Sequence, residues 1–271
     1  RNCTTLKEIS LPVQMTAVPD GMFSGCVSLE SIKFIGAVDS LGRYAFRNCH
    51  NLKSFVLPEN VTEIKEGTFE GCGLTEIQFP SSVTKLGDCA FRGNPFKKIT
   101  IPATVTELEG NPFSGCGELD EFAVEDRNGY FSAPGGLLYD KNGTKLVICP
   151  GGKSGSYTVP RRTKKIGTQA FKECKNITEL ILPSGVTSIE SRAFDGMELK
   201  TIELPAELTE FSTTAFAGCN MLTSITVDPD NPLYISVNGI LCDITGKSVV
   251  SCPPGYQEVD LPEGLLYIEH G

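Results

Sequence analysis

The sequence predicts an α/β repeat fold that is mostly β: a solenoid of 22–23-residue coils with two inserted β-hairpins. Three observations support this prediction. A phenylalanine recurs at a nearly constant interval, a short strand pattern ending in proline recurs with it, and a hairpin pattern interrupts the series twice. Self-similarity at a period of about 20–50 residues is typical of repeat architectures.

The phenylalanine marker is the most regular of the three. Consecutive markers are 22 or 23 residues apart, except for one gap of 58 residues. Each marker stands three positions before a cysteine, at Phe23/Cys26, Phe46/Cys49, Phe69/Cys72, Phe113/Cys116, Phe171/Cys174 and Phe216/Cys219, or before Asn94 and Met197, after Phe91 and Phe194. We expect the phenylalanines to lie in a single file. The cysteines should be reduced core thiols, because free Cys is among the most buried residue types.

Each coil also contains a strand pattern, Leu-x-x-Ile-x-Leu-Pro. Apolar residues two positions apart, such as Ile99 and Ile101, are typical of a half-buried strand, here of three or four residues. The proline lacks an N–H group and therefore ends the hydrogen-bond ladder. Gly or Asn stands just before the cysteine position in every marked coil except at Glu173, which predicts a left-handed backbone turn there.

One coil cannot fold alone. Ordering about 23 residues costs more conformational entropy than the apolar side chains of one coil recover, so neighbouring coils must cover its two open faces. We therefore expect a single solenoid domain over residues 1–271. Cys3 already occupies a cysteine position, and the coil that begins near Leu261 stops before its next marker, so we expect a fragment of a longer protein.

The two insertions span about residues 125–156 and 228–257. In the first, Asn142-Gly143 lies between two apolar runs, which is the strongest short-range hairpin signal. Thr245-Gly246 occupies the same place in the second insertion. The sequence therefore predicts a β-hairpin that protrudes from the stack at each insertion.

Composition excludes two functional classes. The chain has 24 basic and 33 acidic residues and a formal net charge of −9, which argues against nucleic-acid binding because phosphate needs a basic surface. No apolar stretch approaches the ~20 residues of a spanning helix. We therefore expect no nucleic-acid partner and no membrane span within this chain.

The chain offers little for catalysis or metal binding. It has two histidines, His50 and His270, and neither belongs to a recognisable set of acid, base and nucleophile. Acidic residues precede each insertion, at Glu125-Asp126 and at Asp228 with Asp230, but their spacing matches no calcium loop and is typical of solvated turns. We predict a protein that is not an enzyme, with no catalytic residues, no metal site and no cofactor.

The full repeat, Leu-x-x-Ile-x-Leu-Pro-x-x-Val-Thr-x-Ile-x-x-x-Ala-Phe-x-Gly-Cys, together with the interposed Gly-Leu-Leu-Tyr-Asp-Lys-Asn-Gly-Thr segment, resembles the BspA-like (Treponema pallidum-type) leucine-rich repeat proteins. The resemblance covers essentially the whole chain. It implies a right-handed leucine-rich-repeat solenoid. It also implies an extracellular or cell-surface location and a role in adhesion and in binding host or matrix proteins.

Two surfaces are candidates for recognising a protein or glycan partner. The first is the strand face, where exposed side chains should flank the buried residue of each strand, at Glu8, Lys33, Glu76, Gln78, Lys98, Thr100, Glu121, Glu179 and Glu203. The second is the pair of hairpin tips, at Lys141, Asn142 and Thr245, because loops on a rigid scaffold often carry recognition. The strand face has few aromatic anchors, so a merely solvated sheet is an equal alternative. A structural spacer that displays another domain is the alternative function. The sequence does not indicate an oligomeric state.

Overall fold

A computed structural model describes residues 1–256, 261 and 264–268. Both units of the chain are built from solenoid turns of roughly 23 residues, about 11 in all. One unit comprises Arg1–Lys141 and Pro150–Gly152, and the other comprises Asn142–Cys149 and Lys153–Gly271. Among the described residues the secondary structure is almost entirely β, and the only helical segment is a 3-10 turn at Pro134–Gly136.

Unit 1 contains eleven strands. They are β1 (Glu8–Leu11), β2 (Ala17–Val18), β3 (Ser31–Phe34), β4 (Ser40–Leu41), β5 (Glu63–Ile64), β6 (Lys85–Leu86), β7 (Lys98–Ile101), β8 (Glu107–Leu108), β9 (Glu121–Val124), β10 (Phe131–Ser132) and β11 (Leu138–Asp140). The longest sheet is the parallel ladder β2-β4-β5-β6-β8. The strands that precede the prolines pair only in twos, as β1-β3 and β7-β9.

Unit 2 repeats this arrangement. Its strands are β12 (Lys145–Ile148), β13 (Gly155–Thr158), β14 (Lys165–Ile166), β15 (Ile177–Ile181), β16 (Ser188–Ile189), β17 (Thr201–Leu204), β18 (Glu210–Phe211), β19 (Ser224–Val227), β20 (Tyr234–Val237), β21 (Ile240–Asp243), β22 (Ser248–Ser251) and β23 (Tyr267–Ile268). The parallel ladder is β12-β14-β16-β18, and the strands before the prolines pair as β13-β15 and β17-β19.

Each coil thus has a second strand that the sequence analysis did not predict. It lies in the Val-Thr-x-Ile part of the repeat and is only two residues long, as in β5 and β6. Two residues are too few to show an alternating pattern. The predicted strands at residues 54–57 and 76–79 are reduced to one parallel bridge, between Val56 and Gln78.

The phenylalanine markers form the predicted file within each unit. In unit 1 the rings of Phe23, Phe46, Phe69, Phe91 and Phe113 stack at centroid separations of 5.3–5.5 Å, with interplanar angles of 13° or less. In unit 2 the rings of Phe171, Phe194 and Phe216 stack at 5.8 and 5.2 Å. Adjacent coils therefore shelter one another along a continuous aromatic core in each unit.

The cysteine position has a role beyond filling space. The Cys72 thiol donates to the Phe46 carbonyl of the preceding coil at 3.0 Å, and Cys219 does the same to Phe194 at 3.0 Å. Asn94, in the same position, donates to the Phe69 carbonyl at 2.8 Å. At these coils a small donor therefore satisfies a buried carbonyl, whereas Met197 fills the same position without a side-chain donor. All eleven cysteines are free thiols, and the six marker cysteines are buried, whereas Cys3 and Cys252 are exposed.

The left-handed turns also occur where they were predicted. The residue before the cysteine position has a positive φ at each of Gly25, Asn48, Gly71, Gly93, Gly115, Gly196 and Gly218. Glu173 adopts the same conformation, with φ of 57°, although it is neither Gly nor Asn. The geometry of the coil therefore overrides the preference of that residue.

Thiol labelling tests the buried core. Burial raises the pKa of Cys49 and of Cys219 to about 12, so few thiolates form at pH 8. We expect iodoacetamide to modify exposed Cys3 rapidly in the native protein. Cys252 should react more slowly, because partial burial raises the pKa of its thiol. Peptide mass spectrometry should find Cys49, Cys72 and Cys219 modified only after unfolding. Native labelling of Cys72 as fast as that of Cys3 would contradict the fold.

Each insertion contains antiparallel strands. In unit 1, β10 pairs with β11, and in unit 2, β21 pairs with both β20 and β22. The predicted Thr245-Gly246 turn lies between β21 and β22, and Gly246 has a φ of 70°. The final strand of each insertion joins a ladder of unit 2 in parallel, β12 with β14 and β22 with β23.

A buried asparagine anchors each insertion to the preceding coil. The Asn128 side chain donates to the carbonyls of Pro102 and Val105 at 2.7 and 2.9 Å, and its oxygen accepts from the amides of Tyr130 and Phe131, both at 2.8 Å. Asn231 forms the equivalent four bonds in unit 2. The sequence analysis assigned these residues no role.

Candidate binding surface

The nine predicted strand-face residues are all exposed to solvent. They occupy the outward positions of the strands before the prolines, so their side chains are not needed for the core. The register places them in pairs, with Glu8 opposite Ser31 and Lys98 opposite Glu121. Because these strands pair only in twos, the strand face of each unit is a set of short ladders with depressions beside them.

Two of the five predicted charged residues on the strand face of unit 1, Lys98 and Glu121, form an ion pair with each other. The Lys98 ammonium lies 2.7 Å from a carboxylate oxygen of Glu121. Such an exposed pair contributes little to stability, about 0–1 kcal/mol. It also neutralises the local charge, so this part of the face presents no strong field.

Unit 1 has a depression of about 300 Å³ between residues 54–59 and 76–80, and an apolar side chain lies in it. Val56 lines this depression and is 87% exposed. The predicted residues Glu76 and Gln78 form part of its wall. In other coils the position of Val56 is occupied by polar or small side chains, such as Ser10, Thr100 and Thr158, with one exception.

The exception is Ile181 in unit 2, which is 44% exposed. It lines a depression of about 500 Å³ between β15 and β17. The depression also contains the predicted residues Glu179 and Glu203, with Thr226 and Asp228 at its far side. Each unit therefore has one exposed aliphatic side chain at the same repeat position, surrounded by polar groups. The sequence analysis selected neither residue.

The predicted hairpin-tip residues are exposed, but two of the three are engaged in their own turns. The Lys141 ammonium donates to the Asn128 carbonyl. The Thr245 hydroxyl donates to Asp243 at 2.6 Å, and the same carboxylate accepts the amides of Lys247 and Ser248. These hydrogen bonds lower the pKa of Asp243, led by the Thr245 hydroxyl. Much of the hydrogen-bonding capacity of the hairpin tips is therefore used within the fold.

Ion pairs elsewhere in unit 1 connect neighbouring coils. The carboxylate of Glu70, a residue only 8% exposed, lies 3.2 Å from Arg47 and 2.9 Å from Arg92, one coil to either side. A hydrogen bond to Glu66 raises the pKa of Tyr44 to about 12. These groups are already satisfied and offer no open site.

The described part of the chain holds no group of three or more His, Cys, Asp or Glu side chains that could bind a metal ion. A ring nitrogen of His50 lies 2.8 Å from the Gly71 carbonyl, and His270 is outside the described residues. Glu125 accepts the Ala103 amide of the preceding coil, and Asp228 accepts the Asp230 amide within its own turn. In residues 1–256, 261 and 264–268, no helix has the length and apolar character needed to cross a membrane.

The family model described as "BspA type Leucine rich repeat region" matches the chain in six copies, over residues 1–95, 39–133 and 153–239. No curated protein sequence matches the chain. Among solved structures, a leucine-rich repeat protein from Eubacterium ventriosum has a TM-score of 0.72 at 24% identity. The match covers 97% of this chain and 66% of that one, so this chain spans just under two thirds of it.

Two further solved structures have the same fold. A leucine rich cell surface protein from Faecalibacterium prausnitzii has a TM-score of 0.61 at 23% identity, with 97% of this chain and 79% of that one covered. The pneumococcal vaccine antigen PcpA has a TM-score of 0.56 at 21% identity, with 97% and 74% covered. At these identities the similarity is one of fold alone.

Proposed function

Because the chain belongs to the BspA-type leucine-rich repeat family, we propose that it is a binding scaffold without catalytic activity, located at the cell surface or outside the cell. It recognises a protein partner through the strand face. The observation that carries this proposal is the pair of exposed aliphatic residues, Val56 and Ile181, each in a depression of an otherwise polar face. The two structural neighbours described as a cell surface protein and a vaccine antigen support the location.

A small apolar centre within a polar rim is the usual composition of a protein-binding surface. Val56 is almost fully exposed, so covering it with a partner removes apolar area from water. Glu76 and Gln78 beside Val56, and Glu179 and Glu203 beside Ile181, can then supply hydrogen bonds. The hairpin tips offer less, because Lys141 and Thr245 are already bonded within their turns.

The test uses substitutions that other coils already contain. Val56→Ser and Ile181→Thr place the side chains of Ser10 and Thr158 at the equivalent positions, so the fold should tolerate them. The probe is an array of purified extracellular-matrix proteins and neutral glycans, with each hit quantified by surface plasmon resonance. We expect a matrix protein to bind. One or both substitutions should weaken that binding at least tenfold, about 1.4 kcal/mol.

The matched control changes the same strand position where the side chain is already polar and lies outside both depressions, as Ser10→Thr. It should leave binding within about twofold. Loss of binding on substitution of Lys141, Asn142 and Thr245, but not of Val56 or Ile181, would overturn the strand-face assignment in favour of the hairpin tips. If no array protein binds, the spacer alternative replaces the proposal.

A further inference from the structure

A basic turn interrupts the acidic surface of unit 2. Residues 161–165 read Arg-Arg-Thr-Lys-Lys, in a chain whose formal net charge is −9. The segment joins β13 to β14, and its four basic side chains are all exposed, whereas Thr163 is completely buried. We define Arg161, Arg162, Lys164 and Lys165 as the basic turn.

The fold does not require basic residues at these positions. The turn is closed by a backbone bond from the Thr163 amide to the Pro160 carbonyl at 2.9 Å, and Val186 closes the equivalent turn on Pro183 at 3.1 Å. In the turns that follow Pro12, Pro58, Pro80, Pro102, Pro183 and Pro205, Lys85 is the only basic residue at the four equivalent positions. Neutral and acidic side chains therefore serve the same turn elsewhere in this chain.

The charges of the basic turn are largely unneutralised. Within the described residues, no carboxylate lies within salt-bridge distance of Arg161, Arg162 or Lys165, and Lys164 has only a long contact, 3.9 Å, with Glu207. Lys165 lies opposite Lys145 in the β12-β14 pairing, but Lys145 is itself paired with Glu190 at 2.7 Å and adds no free charge. The four cations of the basic turn are therefore near one carboxylate, that of Glu207, which contacts only Lys164 and at a long distance. The local electrostatic potential is positive as a result.

The basic turn also borders a depression of about 590 Å³ in unit 2. Arg161 and Lys164 lie on its rim, with the hydroxyl-bearing residues Thr158 and Ser184 in the lining. No aromatic side chain lines this depression, and Ile181 is the large exposed aliphatic group within it. The depression is therefore open, has both polar and apolar side chains in its lining, and includes the carboxylate of Glu207 beside Arg161 and Lys164.

We propose that the basic turn binds the sulfate groups of a sulfated polysaccharide. Arg presents a planar fork of N–H donors that matches tetrahedral and planar anions in two-point contacts, and clustered basic segments are typical of heparin-like patches. The hydroxyls of Thr158 and Ser184 can bond to sugar hydroxyls in the adjoining depression. The depression beside the basic turn shares Ile181 with the strand-face site, but the proposed sulfate contacts come from the basic side chains and do not need that residue.

Two other polyanions fit the site less well. Single-stranded nucleic acid binds by stacking its bases on aromatic side chains, and none lines the depression. An acidic protein would bury little apolar area beside the charges, because the basic turn has no exposed apolar side chain and Ile181 is the one large exposed aliphatic group in the adjoining depression. A hydrated, evenly charged polysaccharide needs neither feature.

The test compares the native chain with a variant that copies the next turn: Arg161→Ser, Arg162→Gly, Lys164→Thr and Lys165→Ser. These are the side chains of residues 184, 185, 187 and 188, so the backbone should tolerate them. The control variant removes the same positive charge at scattered exposed positions: Lys53→Ser, Lys97→Ser, Lys175→Ser and Lys200→Ser. Circular dichroism and thermal unfolding confirm that each variant is folded.

Binding is measured by surface plasmon resonance at 0.15 M and 0.5 M NaCl. The probes are heparin, fully desulfated heparin, polyglutamate and a single-stranded oligonucleotide.

We expect the native chain and the control variant to bind heparin within about threefold of each other at 0.15 M NaCl, and much more weakly at 0.5 M. The basic-turn variant should lose at least tenfold in heparin affinity, and desulfated heparin should not bind. Absence of heparin binding, or equal binding by the basic-turn variant, would overturn the proposal. Equal or tighter binding of polyglutamate or the oligonucleotide would overturn the choice of polysaccharide. Since Ile181→Thr leaves these charges intact, failure here is distinguishable from failure at the strand face.

Discussion

Replacing Phe69 with alanine should lower the free energy of unfolding by about 3–5 kcal/mol. Phe69 is completely buried, and its ring stacks between Phe46 at 5.3 Å and Phe91 at 5.5 Å while Phe55 meets it edge-on at 4.7 Å. Removing the ring opens a gap that neighbouring coils cannot close, because their separation is set by backbone hydrogen bonds such as Phe69 N–H to the Ala90 carbonyl.

Urea unfolding followed by far-ultraviolet circular dichroism would measure this loss, because the chain contains no tryptophan for fluorescence. Val56→Ala is a suitable control, because it also shortens an apolar side chain but one that is 87% exposed. This substitution should change the free energy of unfolding by less than about 0.5 kcal/mol. A loss below about 1 kcal/mol for Phe69→Ala would mean that the aromatic file does not support the stack.

The repeat unit itself could be predicted from the sequence because its signals are periodic. Phenylalanine, proline and glycine each recur once per coil, and the structure places them in the stacked core, at strand ends and at positive φ. Each of these roles depends on a side-chain property that one residue type supplies. Repetition over many coils then separates the signal from chance.

The second ladder and the buried asparagines could not be predicted in the same way. A two-residue strand such as β5 is defined by its neighbours on either side and has no pattern of its own. Asn128 follows acidic and basic residues in a segment that reads as a solvated turn, and its burial depends on carbonyls of the preceding coil. Glu173 shows the same limit, since the coil imposes a conformation that its residue type disfavours.

The candidate surface was predicted only in outline. Strand alternation identified the outward positions, and all nine selected residues are exposed. The alternation could not show that the strands before the prolines pair in twos, which creates the depressions near Val56 and Ile181. A comparison of the same position across coils would have found both residues, and the basic turn as well, because each departs from an otherwise polar or neutral series.

Replacing Asn128 with alanine should destabilise unit 1 by about 3–5 kcal/mol, although the residue lies at the base of an insertion and outside the aromatic core. The change removes both donors to the Pro102 and Val105 carbonyls and the acceptor for the amides of Tyr130 and Phe131. Each buried polar group left without a partner costs about 1–3 kcal/mol, and water entering the opened turn offsets part of the sum.

Two comparisons separate these hydrogen bonds from a general effect of mutating the insertion. Asn142→Ala removes an exposed side chain at the hairpin tip and should cost less than about 1 kcal/mol in the same urea titration. Asn128→Asp keeps the shape and the accepting oxygen but cannot donate to the two carbonyls when ionised, so it should be nearly as destabilising as alanine at pH 7. If Asn128→Asp were as stable as the native chain, the two hydrogen bonds that Asn128 donates would contribute nothing to the free energy of unfolding. The insertion would then be held by its strand pairing, by the amide bonds of Tyr130 and Phe131 to residue 128, and by backbone bonds such as that from the Glu125 amide to the Ile101 carbonyl.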